Sequence, residues 1–393
     1  MPDATFLDWP FFDERHRRFA RDFRRDAEAI ARAHEGAHGD ARVARAIWHA
    51  LCARDYVLAI FGQTADDAAA ARIDLRTVAL MREMLAYWTG IADVALSEPW
   101  LAGLPIALAG TPGQKERWLG RILRGDCVPA FALSEPEAGT DVAAIATTAR
   151  RDGDGWRISG TKTWTSNAGT ADVYVAFAKI DADAGSRAMG AFLVPGDHPG
   201  VELVRQIPVM PPHAVGTLRF ADCRVPANAL LGAPGQGRAL ALRALELFRP
   251  TVGAATLGMA RRALDEAMAR AASRMAFGRP LAEYQLIQKK LAEMAVGIDS
   301  AALLVYRACW LHDVSRQAIA REAAMAKLAA TEIAQRVVDE AVQIFGGSGI
   351  VQGAPVERMY REVRAFRIFD GASDIQKLLI ARHVIANEPA HHA

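Results

Sequence analysis

The feature that most restricts this chain is a double change of hydrophobic period. It is helical from about residue 11 to 125, strand-like from about 145 to 222, and helical again from about 236. A 3.6-residue period buries one stripe of a helix and a two-residue period buries one face of a sheet, so each block must find its own packing partner. In the first block Phe19, Phe23, Ala27 and Ile30 fall on one helix face, and Pro99, Pro105 and Pro112 read as turns or helix starts. In the second, Asp152-Gly153-Asp154-Gly155 is a hairpin signal, 173–177 and 191–194 read as strands, and Leu218 and Phe220 alternate across Arg219. The third predicts long helices over 238–272, 280–312, 316–345 and 372–386, packed as an antiparallel bundle, with Pro250 kinking the first. The expectation is an α+β chain: an N-terminal all-helical domain (1–125), a middle β-barrel or sandwich domain (126–235) and a C-terminal four-helix bundle (236–393).

Charge and cysteine content exclude several classes. Forty-seven Lys and Arg against 45 Asp and Glu leave a net charge of +2, which gives no argument for a nucleic-acid partner and leaves only local basic patches open. Cys52, Cys127, Cys223 and Cys309 form no C-x-x-C pair and read as reduced core residues, so neither a disulfide nor a metal site is expected. The segment Met1–Thr5 lacks the basic and apolar parts of a signal peptide, and no apolar run reaches the roughly 20 residues that span a bilayer. A cytoplasmic protein without a membrane partner is the expectation.

Two segments at the helix-to-strand change carry candidate chemistry. In Phe131-Ala132-Leu133-Ser134-Glu135-Pro136-Glu137-Ala138-Gly139-Thr140-Asp141, two hydroxyls bracket a proline-bearing loop that can aim N–H groups at an anion; a capped turn reads equally well. In Gly160-Thr161-Lys162-Thr163-Trp164-Thr165-Ser166-Asn167, an aromatic plane stands beside hydroxyls and an amide, a set that suits a planar heterocycle or simply a core Trp. Gly346–Gly349 contains part of a G-x-G-x-x-G pattern, but a helical pattern precedes it and no βαβ unit surrounds it, so a Rossmann reading fails.

Together these segments resemble the acyl-CoA dehydrogenase family, with its T/S-E-P-x-A-G-S/T-D loop and G-x-K-x-W-I-T-N strand. The resemblance continues through Arg274-Met275-Ala276-Phe277-Gly278-Arg279-Pro280-Leu281 with Gln285, through Gln343-Ile344-Phe345-Gly346-Gly347-Ser348-Gly349, and through Tyr360-Arg361-Glu362-Val363-Arg364 and Phe369-Asp370-Gly371-Ala372-Ser373. It implies FAD as cofactor. Phe131, Leu133 and Ser134 would border the flavin ring, with Trp164 packed on it and Ser166 bonded near N5. Gly139 belongs to the same loop, and Thr140 would approach the pyrophosphate or the acyl carrier. Arg274, Phe277, Gln285, Gln343 and Gly347 would hold the ADP half across a subunit interface, which implies a homo-oligomer, usually a tetramer. The implied partners are an acyl-CoA or acyl-carrier-protein thioester and an electron-transfer flavoprotein.

The resemblance also assigns a base, and here the chain departs from the family. The usual residue is Glu, immediately before the Gly of E-G-T; this chain has Asp370, which reaches roughly 1 Å less, a misplacement that can cost about 100-fold. Some relatives place Glu on the first bundle helix instead, where this chain has Phe248. Asp370 is therefore the expected base, Arg249 orders the active-site helix, Glu246 contacts the pantetheine arm, and Phe369 and Gly371 flank the substrate. Three readings are open: dehydrogenation of a short, branched or cyclic acyl thioester, a nitroalkane-oxidase-type reaction using Asp370, or a flavin- or acyl-carrier-binding protein without turnover. Asp93 is read as a helix-surface residue paired with a neighbour, or else as a second acid in the acyl pocket. Trp88, read on the same helix, and Trp100 read as core or as pocket-shortening residues. Ala372 removes a hydroxyl that the family offers to FAD, and Phe61–Asp67 replaces a glycine-rich turn.

Overall fold

The computed structural model describes residues 3–34, 41–54, 56–61, 73–180, 188–315 and 317–386; the departure at 62–67 lies outside them. The helices are α1 (Glu14–Arg32), α2 (Ala41–Cys52), α3 (Tyr56–Phe61), α4 (Leu75–Trp88), α5 (Gly90–Ala109), α6 (Pro112–Gln114) and α7 (Gly120–Leu123) before the strands, then α8 (Gly237–Ser273), α9 (Gln285–Ser315), α10 (Ala320–Phe345), α11 (Pro355–Ala365) and α12 (Ser373–Ala386). The strands are β1 (Pro129–Ala132), β2 (Thr148–Asp152), β3 (Gly155–Ser166), β4 (Val173–Ile180), β5 (Met189–Pro195), β6 (Val201–Ile207), β7 (Val215–Val225) and β8 (Leu230–Leu231), with a short pair β9 (Met275–Ala276) and β10 (Arg279–Pro280). Helix, sheet and helix follow one another as the change of period requires. The chain forms two compact units of interleaved segments, one from Met1–Glu35, Leu75–Asp93 and Glu246–Ala393, the other from Gly36–Asp74 and Val94–Leu245.

The first unit is helical. Phe23, Ala27 and Ile30 of α1 are buried, and Phe19 stacks on Phe23 at 5.4 Å. Gly258 brings α8 against α4: a Cβ there would lie 2.0 Å from the Glu83 carbonyl oxygen, so no other residue permits this approach. The Glu83 carboxylate accepts Arg261 Nε at 2.8 Å and the Tyr306 hydroxyl, which joins α4, α8 and α9. Helices α9 and α10 run antiparallel, with Lys290 paired to Glu340 near one end. The expected helix over 280–312 begins instead at Gln285, because 275–280 form a hairpin. Its two turn residues, Phe277 and Gly278, have φ of 49° and 80°, as a type I′ turn demands. Helix α8 runs unbroken through Pro250, and α11 is an element beyond the four expected.

The second unit carries one eight-stranded sheet, ordered β6-β7-β3-β2-β4-β5-β8, with β1 also paired to β4. The predicted hairpin appears as Asp152 opposite Gly155. The pairings β1–β4 and β2–β4 are parallel, a topology that local turn signals do not encode. Trp156, Phe192, Tyr174, Leu218 and Phe220 fill the sheet's buried cluster, with Trp156 edge-on to Phe192 at 5.3 Å.

Three further expectations from the sequence need correction. Pro99 and Pro105 lie inside α5, where near-total burial outweighs the local cost of about 3 kcal/mol for a helical proline. Trp88 ends α4 rather than sharing α5 with Asp93, while Trp100 is fully buried within α5. Gly90–Ala109 and Gln285–Ser315 are both long and apolar enough to cross a membrane by length and composition, contrary to the reading of the sequence. The first has 83% of its apolar window buried within the protein, as a core helix does.

Candidate active site

The two motif segments of the sheet unit are joined through backbone and charge. The Thr163 N–H donates to the Ser134 carbonyl at 2.9 Å rather than to the neighbouring strand. The β3–β7 register shifts between Lys162 and Thr165, and within that bulge Trp164 adopts φ of 57°. A bulge of this kind re-aims a side chain. Trp164 is 57% exposed despite lying in a strand whose neighbours are buried. Lys162, wholly buried, donates to the Leu133 carbonyl at 3.0 Å and to Glu135 Oε1 at 2.7 Å, while Glu135 also accepts the Thr147 N–H at 3.0 Å. Burial opposes ionisation of Glu135, but Lys162 and these N–H donors outweigh it and hold the carboxyl below its ordinary range. Burial lowers the Lys162 ammonium to about 8 against the pull of Glu135.

The other residues proposed from the sequence surround this junction. Phe131 packs on Phe177 at 4.9 Å, Leu133 is buried and Ser134 half-buried. Gly139 and Thr140 are exposed, and the direction in which a Gly139 Cβ would point is empty to 4 Å. Ser166 Oγ lies 2.9 Å from His213 Nε2, whose ring is 3.8 Å from Glu98 Oε1. Reading the sequence missed His213 and Glu98, because no motif links residues so far apart in the chain. An uncovered aromatic face, a hydroxyl beside it and an open glycine loop fit a flavin with its phosphates, so this set would hold one.

The helical unit presents two groups. In the first, Asp370 and Gly371 form a turn with φ of 58° and 96°. Arg249 Nε donates to the Asp370 carbonyl at 3.2 Å. The Gly371 carbonyl accepts Lys327 Nζ at 2.8 Å and Gln376 Nε2 at 2.9 Å. Gly371 is obligatory, since a Cβ would lie 2.4 Å from Gln376 Nε2. Burial lowers the pKa of Arg249, with Asp370 and Glu246 acting in the opposite direction. Phe369 packs on Phe366 at 4.8 Å. Glu246 Oε1 accepts the Ile319 N–H at 2.7 Å, so one oxygen of the expected pantetheine contact is committed to the start of α10. The second group is exposed. Arg274, Phe277, Gln285, Gln343 and Gly347 all face solvent, with Phe277 98% exposed at the hairpin tip. The guanidinium of Arg270 over the Phe345 ring at 5.6 Å brings the end of α8 to the end of α10, where Gln343 sits. Lys327 and Gln343 lie on one helix about 24 Å apart at 1.5 Å per residue, so the two groups are separate.

Asp93 is not a surface residue. It is 1% exposed and held by both prongs of Arg82, Nε to Oδ1 at 2.7 Å and Nη2 to Oδ2 at 2.8 Å. The same guanidinium donates to Thr251 Oγ1 at 3.0 Å and lies 4.7 Å from the Phe248 ring centroid. A carboxylate so engaged is poorly placed to take a proton from a ligand.

Family models agree with this assembly along nearly the whole chain: acyl-CoA dehydrogenase N-terminal domain over 13–126, middle domain over 130–223 and C-terminal domain over 235–385. The chain belongs to the acyl-CoA dehydrogenase family. Short-chain specific acyl-CoA dehydrogenase of Bos taurus mitochondria is 44% identical over 283 residues, 72% of this chain and 68% of that protein. Cyclohexane-1-carbonyl-CoA dehydrogenase of Geobacter metallireducens is 37% identical over 287 residues, 72% of this chain and 75% of that protein. A glutaryl-CoA dehydrogenase from Mycobacterium smegmatis in complex with FADH2 superimposes with a TM-score of 0.84 at 26% identity, covering 97% of each chain. Membership makes this acyl-CoA dehydrogenase an FAD-dependent oxidoreductase acting on CH–CH groups.

Proposed function

We propose that the enzyme removes hydrogen from Cα and Cβ of a short, branched or cyclic acyl-CoA thioester, with Asp370 as the base. The observation that carries this reading is the Asp370–Gly371 turn. A carboxylate in left-handed backbone, with its own carbonyl fixed by Arg249, is a rigidly presented group rather than a flexible surface acid. Asp370 takes the α-proton, and its backbone N–H polarises the thioester carbonyl as negative charge develops. Bound FAD supplies the two-electron acceptor. Phe131, Leu133, Ser134, Trp164 and Ser166 orient its ring, and Gly139 and Thr140 leave space for its phosphates. The short Asp side chain favours acyl groups whose substituted or ring α-carbon lies closer to the base, and both short-chain and cyclic acyl dehydrogenases are among the relatives.

Exposed apolar residues on α9 (Leu286, Val296, Leu303) and α12 (Leu378, Val384, Ile385), with Phe277 nearby in sequence, support assembly into a homo-oligomer, read as a tetramer. An electron-transfer flavoprotein is the proposed electron acceptor.

The test is anaerobic bleaching of the purified yellow protein by butyryl-CoA and by cyclohexane-1-carbonyl-CoA. Bleaching by either supports the reading. Resistance to both, with FAD bound, overturns the substrate assignment.

A further inference from the structure

Lys327 belongs to no motif read from the sequence. It lies on α10, fully buried, with Nζ 2.8 Å from the Gly371 carbonyl oxygen. Arg249 holds the preceding carbonyl, that of Asp370. Peptide groups are planar, so two consecutive fixed carbonyls set the orientation on both sides of the Gly371 Cα and limit the freedom of Asp370. The charged groups acting on Lys327 are Asp370, Arg249, Glu332 and Arg367. Glu332 is already committed to Arg367 Nε at 2.8 Å and to Ser373 Oγ at 2.6 Å. Of the two acids Asp370 acts on Lys327 the more strongly, and its charge acts on Arg249 as well.

We propose that Lys327 is a positioning residue for proton abstraction: its buried ammonium clamps the Gly371 carbonyl and supplies positive charge that keeps the neighbouring Asp370 carboxylate ionised. The proposal rests on the reading of Asp370 as base. Burying an ammonium is costly, and burial lowers Lys327 to about 8. Gln376 Nε2 already serves the same carbonyl, so hydrogen bonding alone does not require a cation here.

Lys327→Met removes charge and donor, and Gln376 still satisfies the Gly371 carbonyl, so the fold should tolerate it. Lys327→Gln keeps a donor and removes only the charge, and it carries the test if the Met variant does not fold. Each is compared with wild type and Asp370→Asn in the flavin-loaded protein, by single-turnover anaerobic reduction with butyryl-CoA across pH. The Met variant should bind FAD and butyryl-CoA as wild type does. It should reduce about 10- to 100-fold more slowly, with the acid limb of its rate–pH profile moved to higher pH. The Gln variant should show the same displaced limb with part of the rate restored.

A second readout needs no turnover. The folded pKa of Lys327 lies below the ordinary value of about 10.4, so wild-type stability should rise from pH 8 toward 10 more steeply than that of either variant. If Asp370→Asn reduces at the wild-type rate, the base assignment fails and this proposal with it. If Asp370→Asn is inert while both Lys327 variants keep the wild-type rate and acid limb, the base stands and the role of Lys327 is refuted.

Discussion

Lys162 Nζ lies 2.7 Å from Glu135 Oε1, and this buried pair locks the Ser134 loop to the strand that carries Trp164. The two segments are separate in sequence and meet through this pair and through the Lys162 bond to the Leu133 carbonyl. The Thr163 N–H on the Ser134 carbonyl is a further link between them.

Removing one partner should be costly. Lys162→Met leaves a buried carboxylate without its cation, and the loss should be about 3–5 kcal/mol, read as a lower thermal midpoint together with lower FAD occupancy. Since Glu135 titrates below its ordinary value in the fold, its contribution to stability is complete above about pH 4 and lost as pH falls further. Glu135→Gln should flatten acid unfolding in that range. A variant that melts and loads FAD like wild type would show that the pair holds nothing.

Asp370→Asn should retain FAD and lose bleaching by at least about 100-fold. Asp370→Glu extends the carboxyl by about 1 Å and should shift preference toward straight-chain acyl-CoA relative to cyclic thioesters. Unchanged selectivity between butyryl-CoA and cyclohexane-1-carbonyl-CoA would remove reach as the explanation for Asp at this position.

Glu362 makes an opposite pH prediction. It is buried on α11, with Oε2 accepting the Gly90 N–H at 3.3 Å and Oε1 3.9 Å from Arg358 Nε, without a hydrogen-bond donor of its own. Burial raises its carboxyl to about 7, against the influence of Arg358. A raised acid contributes stability below its unfolded value of about 4.3 and loses it as pH rises toward 7. Glu362→Gln should therefore melt higher than wild type at pH 8 and about equally at pH 4; equal midpoints at both pH values would contradict the assignment.

Phe277 is 98% exposed, so Phe277→Ala should leave the intrinsic stability of the subunit unchanged. An aromatic contact to the cofactor or a second copy is worth about 0.5–1.5 kcal/mol, so FAD affinity or the oligomer dissociation constant should weaken by roughly 2- to 12-fold. Titration calorimetry with FAD and light scattering on dilution separate the two, and no change in either would leave the residue without a role.

What could be read in the sequence was local. The Asp152–Gly155 hairpin and the ends of α8, α10 and α12 follow from turn chemistry and period, and fall within a few residues of expectation. The residues that required coordinates act over long separations. Pairing of Glu135 with Lys162 spans 27 positions, and the clamp of Lys327 on Gly371 spans 44. Pro99 and Pro105 misled because burial of α5 overrides a local rule. Asp93 misled because one acid in an apolar run says nothing about an arginine 11 residues earlier.

Trp164, Phe277 and Asp370 are three of the five non-glycine residues found at positive φ among those described. Such backbone is uphill by about 1–3 kcal/mol for an L-residue, so at these positions the chain gives up some resistance to heat to aim a side chain. Directed evolution for thermotolerance alone should accumulate Gly or Asn at 164, 277 and 370, and each gain should come with a loss in cofactor retention or turnover.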